Sequence, residues 1–499
     1  MNHWLKANAA ISSLLIFVSI SSLAANFDFV FPQTETQKQV LTHMNKGEYP
    51  QALKLWPSSF GKSRFSRTAD GVAMYSIVLY KNALEVSATH KLFSIAQPQK
   101  ISPRLREILT NTIPRDHAGF SFVTSRTAKK WSLVFPHLKG WGAQSLSGHF
   151  FLPTARDVRQ FEKKIQSTQL NSSQKAWLHW QLALAKTLIN QEAEAHWHLN
   201  HAQDLDPTII DFDLLHMTQA RGYYQSGQLQ KAIYEYDKVK KSSDYWLESL
   251  EEKAWAYLRL DEPDKTLAQL KTVLAPVFTP QVGAEPYFLQ SFAQLKICNY
   301  AGASQTLGEF KSLLRDRIAS LQDLANTGKN RSWDKFSSIF SNVDLKWENL
   351  GSDVHYLPRN FHRDLYLKEY LARYRGLQTE KHILTTKFNQ NNEFAGEIAD
   401  IYELSSQSIK KAQNRLSFLA KQELNDVSKI IQKMHIVEAE IIQQIHLSEK
   451  NVSVKPAKQP LVKSADKLQF PVTTEVWMDE LDNYEVNINN CPWKKGQML

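Results

Sequence analysis

An all-α fold is what this sequence predicts: an α-solenoid of helical hairpins, followed by a long-helix coiled coil and a short C-terminal tail. Three observations lead there. Small and large apolar residues recur together between Ala176 and Leu314 with a period of about 34 to 37 residues, which marks stacked supersecondary units. Farther on, Ile409, Ala412, Leu416 and Leu419, then Val427, Ile430, Met434, Val437 and Ile441, alternate by three and four residues, the spacing of a helical seam. Glycine fills only 17 of 499 positions while 42% of residues are hydrophobic, a balance that suits a folded helical chain better than a disordered or turn-rich one. A chain of this length exceeds one ordinary core, so several domains or one extended array are expected.

Residues 1–25 read as a cleaved secretory signal. Lys6 supplies the positive charge, Ile11 to Leu23 a short apolar stretch, and Ser22-Leu23-Ala24-Ala25 the small residues that place cleavage near Ala24 or Ala25. The apolar run falls short of the roughly 20 residues that span a bilayer, and nothing later approaches one, so no integral membrane span is expected. A periplasmic location follows. Lysine and arginine outnumber acids to give a formal charge of +10, which losing Lys6 lowers by one. These charges are interspersed, as solubility requires, and nucleic acid is not an expected partner of an exported chain.

Residues 26–115 are expected to hold degenerate helical repeats. Gly47-Glu48-Tyr49-Pro50-Gln51-Ala52 and Leu53 suit a turn and the second helix of one unit, and Met74 to Phe93 a further pair. Residues 116–165 read as an irregular aromatic-rich insertion: Trp131, Phe135, Trp141, Phe150 and Phe151 cluster with Gly140 and Gly142, and Pro136 and Pro153 break the helical period.

Residues 166–345 carry the repeats proper. Ala183, Ala220, Ala254 and Ser291 recur in the first helix of each pair, and Ala195, Ala232, Thr266 and Ala303 in the second. Leu199, Tyr236, Leu270 and Leu307 follow, with Asn190, Gly227, Asp261 and Cys298 in the turns. A small residue where two antiparallel helices cross lets their axes approach, and the bulky residue one turn later fills the neighbouring groove. The stretch Ala220-Arg221-Gly222-Tyr223-Tyr224, then Gly227, Ala232 and Tyr236, and one repeat later Ala254, Tyr257 and Pro263, resembles the tetratricopeptide repeat family. That resemblance covers a little over a quarter of the chain and implies a concave face that holds peptides or helices. It departs from the family pattern at Gln219 and Lys253, where a leucine is usual.

Residues 346–448 are expected to form long helices and a coiled coil. Asn389-Gln390-Asn391-Asn392 with Gly396 suits a hairpin tip, a continuous rod being the alternative, and Glu423 interrupts the seam. Residues 449–469, with Pro456 and Pro460, read as a linker. The tail, 470–499, carries Trp477 to Tyr484 and then Cys491. It resembles the endings of exported tetratricopeptide proteins in gliding and predatory proteobacteria, which implies envelope or surface-motility assembly.

Helical spacing places Trp177, Trp180, Leu184, Met217, Tyr224, Trp255, Leu258, Phe288 and Phe292 on the concave face, as a partner-binding groove or as packing for neighbouring helices. Cys298 and Cys491 are the two cysteines, and in an oxidising compartment they pair with each other or stay free for a partner. His196, His198 and His201 lie close in sequence, but no third ligand falls at local spacing, so no metal is expected. His362-Arg363-Asp364 matches a kinase triplet in letters alone, without the phosphate loop that chemistry needs. The adjacent acids Glu251-Glu252 and Asp479-Glu480 read as solvated faces. With no catalytic residue or cofactor indicated, the expected function is a periplasmic scaffold binding other envelope proteins. A cell-wall glycan enzyme built on the repeats, or a spacer self-associating through the coiled coil, is the alternative.

Overall fold

The structure, a computed structural model, describes residues 26–30, 32–114, 127, 130–138, 155–166, 170–189, 191–340, 347–359, 361–388 and 393–451. The signal, most of the aromatic-rich insertion, Asn190, the tip at 389–392, the linker from 452 onward and the tail with Cys491 and Asp479-Glu480 lie outside the described residues. Every regular element among the described residues is helical, with no strand. No helix there is long and apolar enough to cross a membrane.

In chain order the α-helices are α1 (Glu35–Asn45), α2 (Tyr49–Leu55), α3 (Ala69–Lys81), α4 (Glu85–Phe93), α5 (Pro103–Thr112), α6 (Ala155–Ile165), α7 (Ser172–Leu188), α8 (Glu192–Leu205), α9 (Phe212–Gln225), α10 (Leu229–Tyr236), α11 (Trp246–Arg259), α12 (Pro263–Val273), α13 (Glu285–Lys296), α14 (Tyr300–Thr327), α15 (Trp333–Phe340), α16 (Leu365–Ile383) and α17 (Ala395–Asn451). Local chemistry sets many of their starts. Asn171 and Gln174 form a reciprocal capping box on α7, Asp211 caps α9 and Asn299 caps α14. Pro50, Pro103, Pro263 and Pro286 sit in first turns, where a missing N–H costs nothing.

One hairpin geometry recurs. After α1, α3, α9, α11 and α13 the chain turns through a left-handed residue, namely Gly47, Ala83, Gly227, Asp261 and Cys298, with φ between 55° and 77°. The next residue donates its N–H to a carbonyl five positions back: Glu48 to His43, Leu84 to Leu79, Gln228 to Tyr223, Glu262 to Tyr257 and Asn299 to Gln294, all at 2.8–3.0 Å. Gln191 makes the equivalent bond to Lys186 after α7. This bond satisfies carbonyls that the helix end would otherwise orphan.

Counting from each turn aligns the pairs. Seven residues earlier stand Val40, Ser76, Ala183, Ala220, Ala254 and Ser291, and five residues later Ala52, Ala88, Ala195, Ala232, Thr266 and Ala303. Nine residues later come Trp56, Leu92, Leu199, Tyr236, Leu270 and Leu307. All of them are buried, so the small positions are where paired helices meet and the large ones fill the space beside them.

The chain gathers into two compact units, residues 1–148 with 376–406, and residues 149–375 with 407–499. Linear order does not reveal this division, because a helix placed late in the sequence completes a core begun early. In the first unit, α1 to α5 share one apolar core with Leu377, Leu384, Phe388, Phe394, Ile401 and Leu404. A π-helical turn, Leu384–Phe388, continues α16 there. In the second unit each helix from α7 to α14 packs on the next, and α6, within the stretch read as irregular, packs on α7.

Candidate functional site

In the second unit α11 and α13 offer Trp255, Phe288 and Phe292. Phe288 and Phe292 stack with centroids 5.8 Å apart, and Trp255 lies 6.0 Å from Phe288 while donating its indole N–H to Glu285 at 2.6 Å. The stripe expected to form a coiled-coil seam lies against this face: Val427, Ile430, Met434, Val437 and Ile441 of α17 share a core with Leu250, Phe288, Leu295, Leu307 and Phe310. Between the stripe residues, Lys433 holds its ammonium 5.6 Å from the Trp255 ring and 5.3 Å from that of Phe288. Ser291 donates to the Met434 sulfur at 3.4 Å, and Lys311 pairs with Glu438 at 2.6 Å. The apolar face that sequence periodicity assigned to a second coil is therefore used inside the chain.

Glu423, the acid that breaks the stripe, receives two hydrogen bonds from the Arg317 guanidinium at 2.6 and 2.9 Å and one from the Arg359 backbone N–H at 2.5 Å. Arg317 is only 1% exposed. It also donates to the His355 carbonyl. A buried charge of this kind persists only when paired and fully bonded.

Helix α11 carries a group of buried and half-buried acids. Glu248, Glu251 and Glu252 face three arginines: Arg359 grips Glu251 with both terminal nitrogens, Arg363 reaches Glu248 at 2.5 Å, and Arg221 holds Glu252 at 2.6 Å. Tyr236 donates its hydroxyl to Glu252 as well. The pair Glu251-Glu252 does point two ways, but each acid meets an arginine where a solvated face was expected. The residues of the kinase-like triplet are occupied likewise: Asp364 binds Arg415 at 2.7 Å and caps the Leu367 N–H. A small cleft nearby is lined by Asp244, Glu248, Arg317, Arg359, Phe361 and His362. Its charged groups pair with residues outside the lining, Arg317 with Glu423, Arg359 with Glu251 and Glu248 with Arg363.

Of the nine groove residues, Trp180, Met217, Leu258 and Phe288 are buried, and Trp177, Leu184, Tyr224, Trp255 and Phe292 are half-buried. Trp180 and Leu184 share a core with Leu199 and Leu215, Met217 and Tyr224 with Tyr236, and Trp177 packs on Phe161 of α6. They do not form one continuous open stripe. Cys298 sits in its hairpin turn, and its proposed partner lies outside the described residues.

His179, from the helix before, brings its Nδ1 within 2.9 Å of the His198 Nδ1. Burial, reinforced by neighbouring cationic and imidazole groups, lowers both to about 4. The His201 ring lies 5.5 Å from that of His179 while its Nδ1–H donates to the Trp197 carbonyl at 3.1 Å, and His196 stacks on Tyr223. Among the described residues no three histidine, cysteine or acidic side chains are placed to hold a metal ion.

The first unit has a comparable buried acid. Helix α4 has no side-chain cap of its own, and the Glu380 carboxylate supplies one, accepting from the Val86 and Ser87 N–H groups at 2.5 and 3.1 Å and from the Ser87 hydroxyl at 2.5 Å. Burial pushes this carboxyl up to about 7 against the pull of those donors. Tyr75 donates to Glu397 at 2.7 Å and Lys91 pairs with Asp400 at 2.5 Å, so α3 and α4 are tied to the 376–406 segment by polar contacts besides the shared core.

Sequence reasoning missed Arg317, Arg359, Arg363 and Glu380. A signal existed for the first: an acid inside an apolar helical stripe requires a buried cation somewhere. In comparisons with known proteins, no family description matches the chain and no curated protein aligns with it significantly.

Proposed function

We propose that this protein is a periplasmic scaffold of the tetratricopeptide type, without chemistry of its own, that holds other envelope proteins during cell-envelope or surface-motility assembly. The observation that carries this reading is the recurrence of one hairpin at equivalent positions, with a face on α11, α13 and α14 that already accommodates a helix stripe. A surface shaped to receive α17 is a surface of the helix-in-groove kind. Trp177, Leu184, Tyr224, Trp255 and Phe292 keep part of their surface and are the residues of the predicted groove with contact area left to offer. Self-association through the 427–441 stripe drops out of the proposal, because those side chains are occupied within the chain.

Photo-crosslinking in living cells, with the reactive group at Tyr224 or Trp177, tests the proposal. Reproducible capture of the same envelope proteins supports it. Capture of nothing at either position, or turnover of cell-wall glycan by the purified chain, overturns it.

A further inference from the structure

Resting on the scaffold reading, we propose that residues 423–441 of α17 act as an internal ligand of the α11–α14 face, and that an amphipathic helix from a partner competes for the same seat. The seat dictates the partner's chemistry. Its ligand is a helix with apolar residues at i, i+3, i+7, i+10 and i+14, as at Val427, Ile430, Met434, Val437 and Ile441. An acid lies one turn before the first of them, as Glu423 does, and a lysine precedes the central one, as Lys433 does.

The contacts of this stretch mark it as a ligand of that face. Its anchoring contacts are of the recognition type: Arg317 reads Glu423, the Trp255 and Phe288 rings receive Lys433, and Lys311 meets Glu438.

Occupancy in cis lowers the apparent affinity of a competitor by the fraction of molecules in which the seat is open. The test uses a fluorescent synthetic peptide of residues 420–446 and the full chain. Ile430→Asp with Val437→Asp unseats α17 without touching the groove, and the peptide is expected to bind this variant at least ~10-fold more tightly than wild type. Adding Phe288→Ala to that variant removes the gain. Hydrogen exchange on the wild-type chain gives a second readout, with the 427–441 amides opening faster than those of α14 between 300 and 314.

Equal peptide affinity in the folded variant and wild type overturns the proposal. So does 427–441 exchange that occurs only with global unfolding, a measurement that decides the matter even if the variant fails to fold. A scaffold that captures no envelope protein in cells leaves the peptide result standing, so the two readings fail separately.

Discussion

Ser87 gives its hydroxyl hydrogen to Glu380 across 2.5 Å, although 293 residues separate the two in sequence. The folded chain holds the Glu380 proton more tightly than an unfolded chain does, because burial raises the carboxyl from 4.5 to about 7. Its contribution to stability is therefore full below about 4.5 and lost as pH rises through about 7, a change on the order of 3 kcal/mol. Urea unfolding at pH 5 and pH 8 should show a larger fall for wild type than for Glu380→Gln. Equal falls in the two proteins would contradict the assignment.

Turn geometry gives a prediction of opposite signs at two equivalent positions. A left-handed backbone costs an ordinary residue about 1–2 kcal/mol and glycine nothing, offset by about 0.5–1 kcal/mol of extra chain entropy in glycine. Ala83, at φ 60°, should tolerate Ala83→Gly with unchanged or increased stability, whereas Gly227→Ala, at φ 74°, should lose about 1 kcal/mol. Thermal unfolding of both variants reads the difference.

Arg317 and Glu423 form a buried pair, and removing one member leaves the other charge without compensation. Glu423→Ala or Arg317→Ala is expected to cost about 3–5 kcal/mol, and Arg317→Met with Glu423→Leu much less than the sum of the single losses. Additive losses in a double-mutant cycle would show that the two do not act together. The pair also fixes alignment: slid by one turn, α17 would leave Arg317 facing an apolar side chain.

Cys298 and Cys491 are predicted to form the single intramolecular disulfide. Alkylation should label neither thiol in the untreated purified chain and both after reduction, as mass spectrometry reads directly. Closing so long a loop is worth roughly 3–5 kcal/mol in the chain-entropy view, so reduction should lower the unfolding midpoint.

Much of the fold was legible in the sequence. The small-residue positions Ala183, Ala220, Ala254 and Ser291 and the turn positions Gly227, Asp261 and Cys298 were readable because local packing and chirality constrain those residues within a single hairpin. The seam from Val427 to Ile441 was legible as an apolar helical stripe but not as to what covers it, since periodicity reports a buried side without naming the surface opposite. The candidate site was less legible: the groove residues were found by spacing, yet the burial of Phe288 depends on a distant segment, Val427 to Ile441. Arg359 and Glu380 carry no local pattern at all. Their roles exist only once remote stretches of chain have met.

The cap that Glu380 places on α4 also orders events in time. A chain emerging from its N-terminus presents α1 to α5 long before residues 376–406 exist, so the first unit begins early and is completed only near the end of synthesis. Until then α4 lacks its terminal acceptor, and the apolar surface awaiting Leu377, Phe394 and Ile401 is uncovered. Contacts this remote slow folding, since the intervening loop must close before they form. Such delay leaves apolar surface exposed during synthesis, the condition in which chaperones engage a nascent chain.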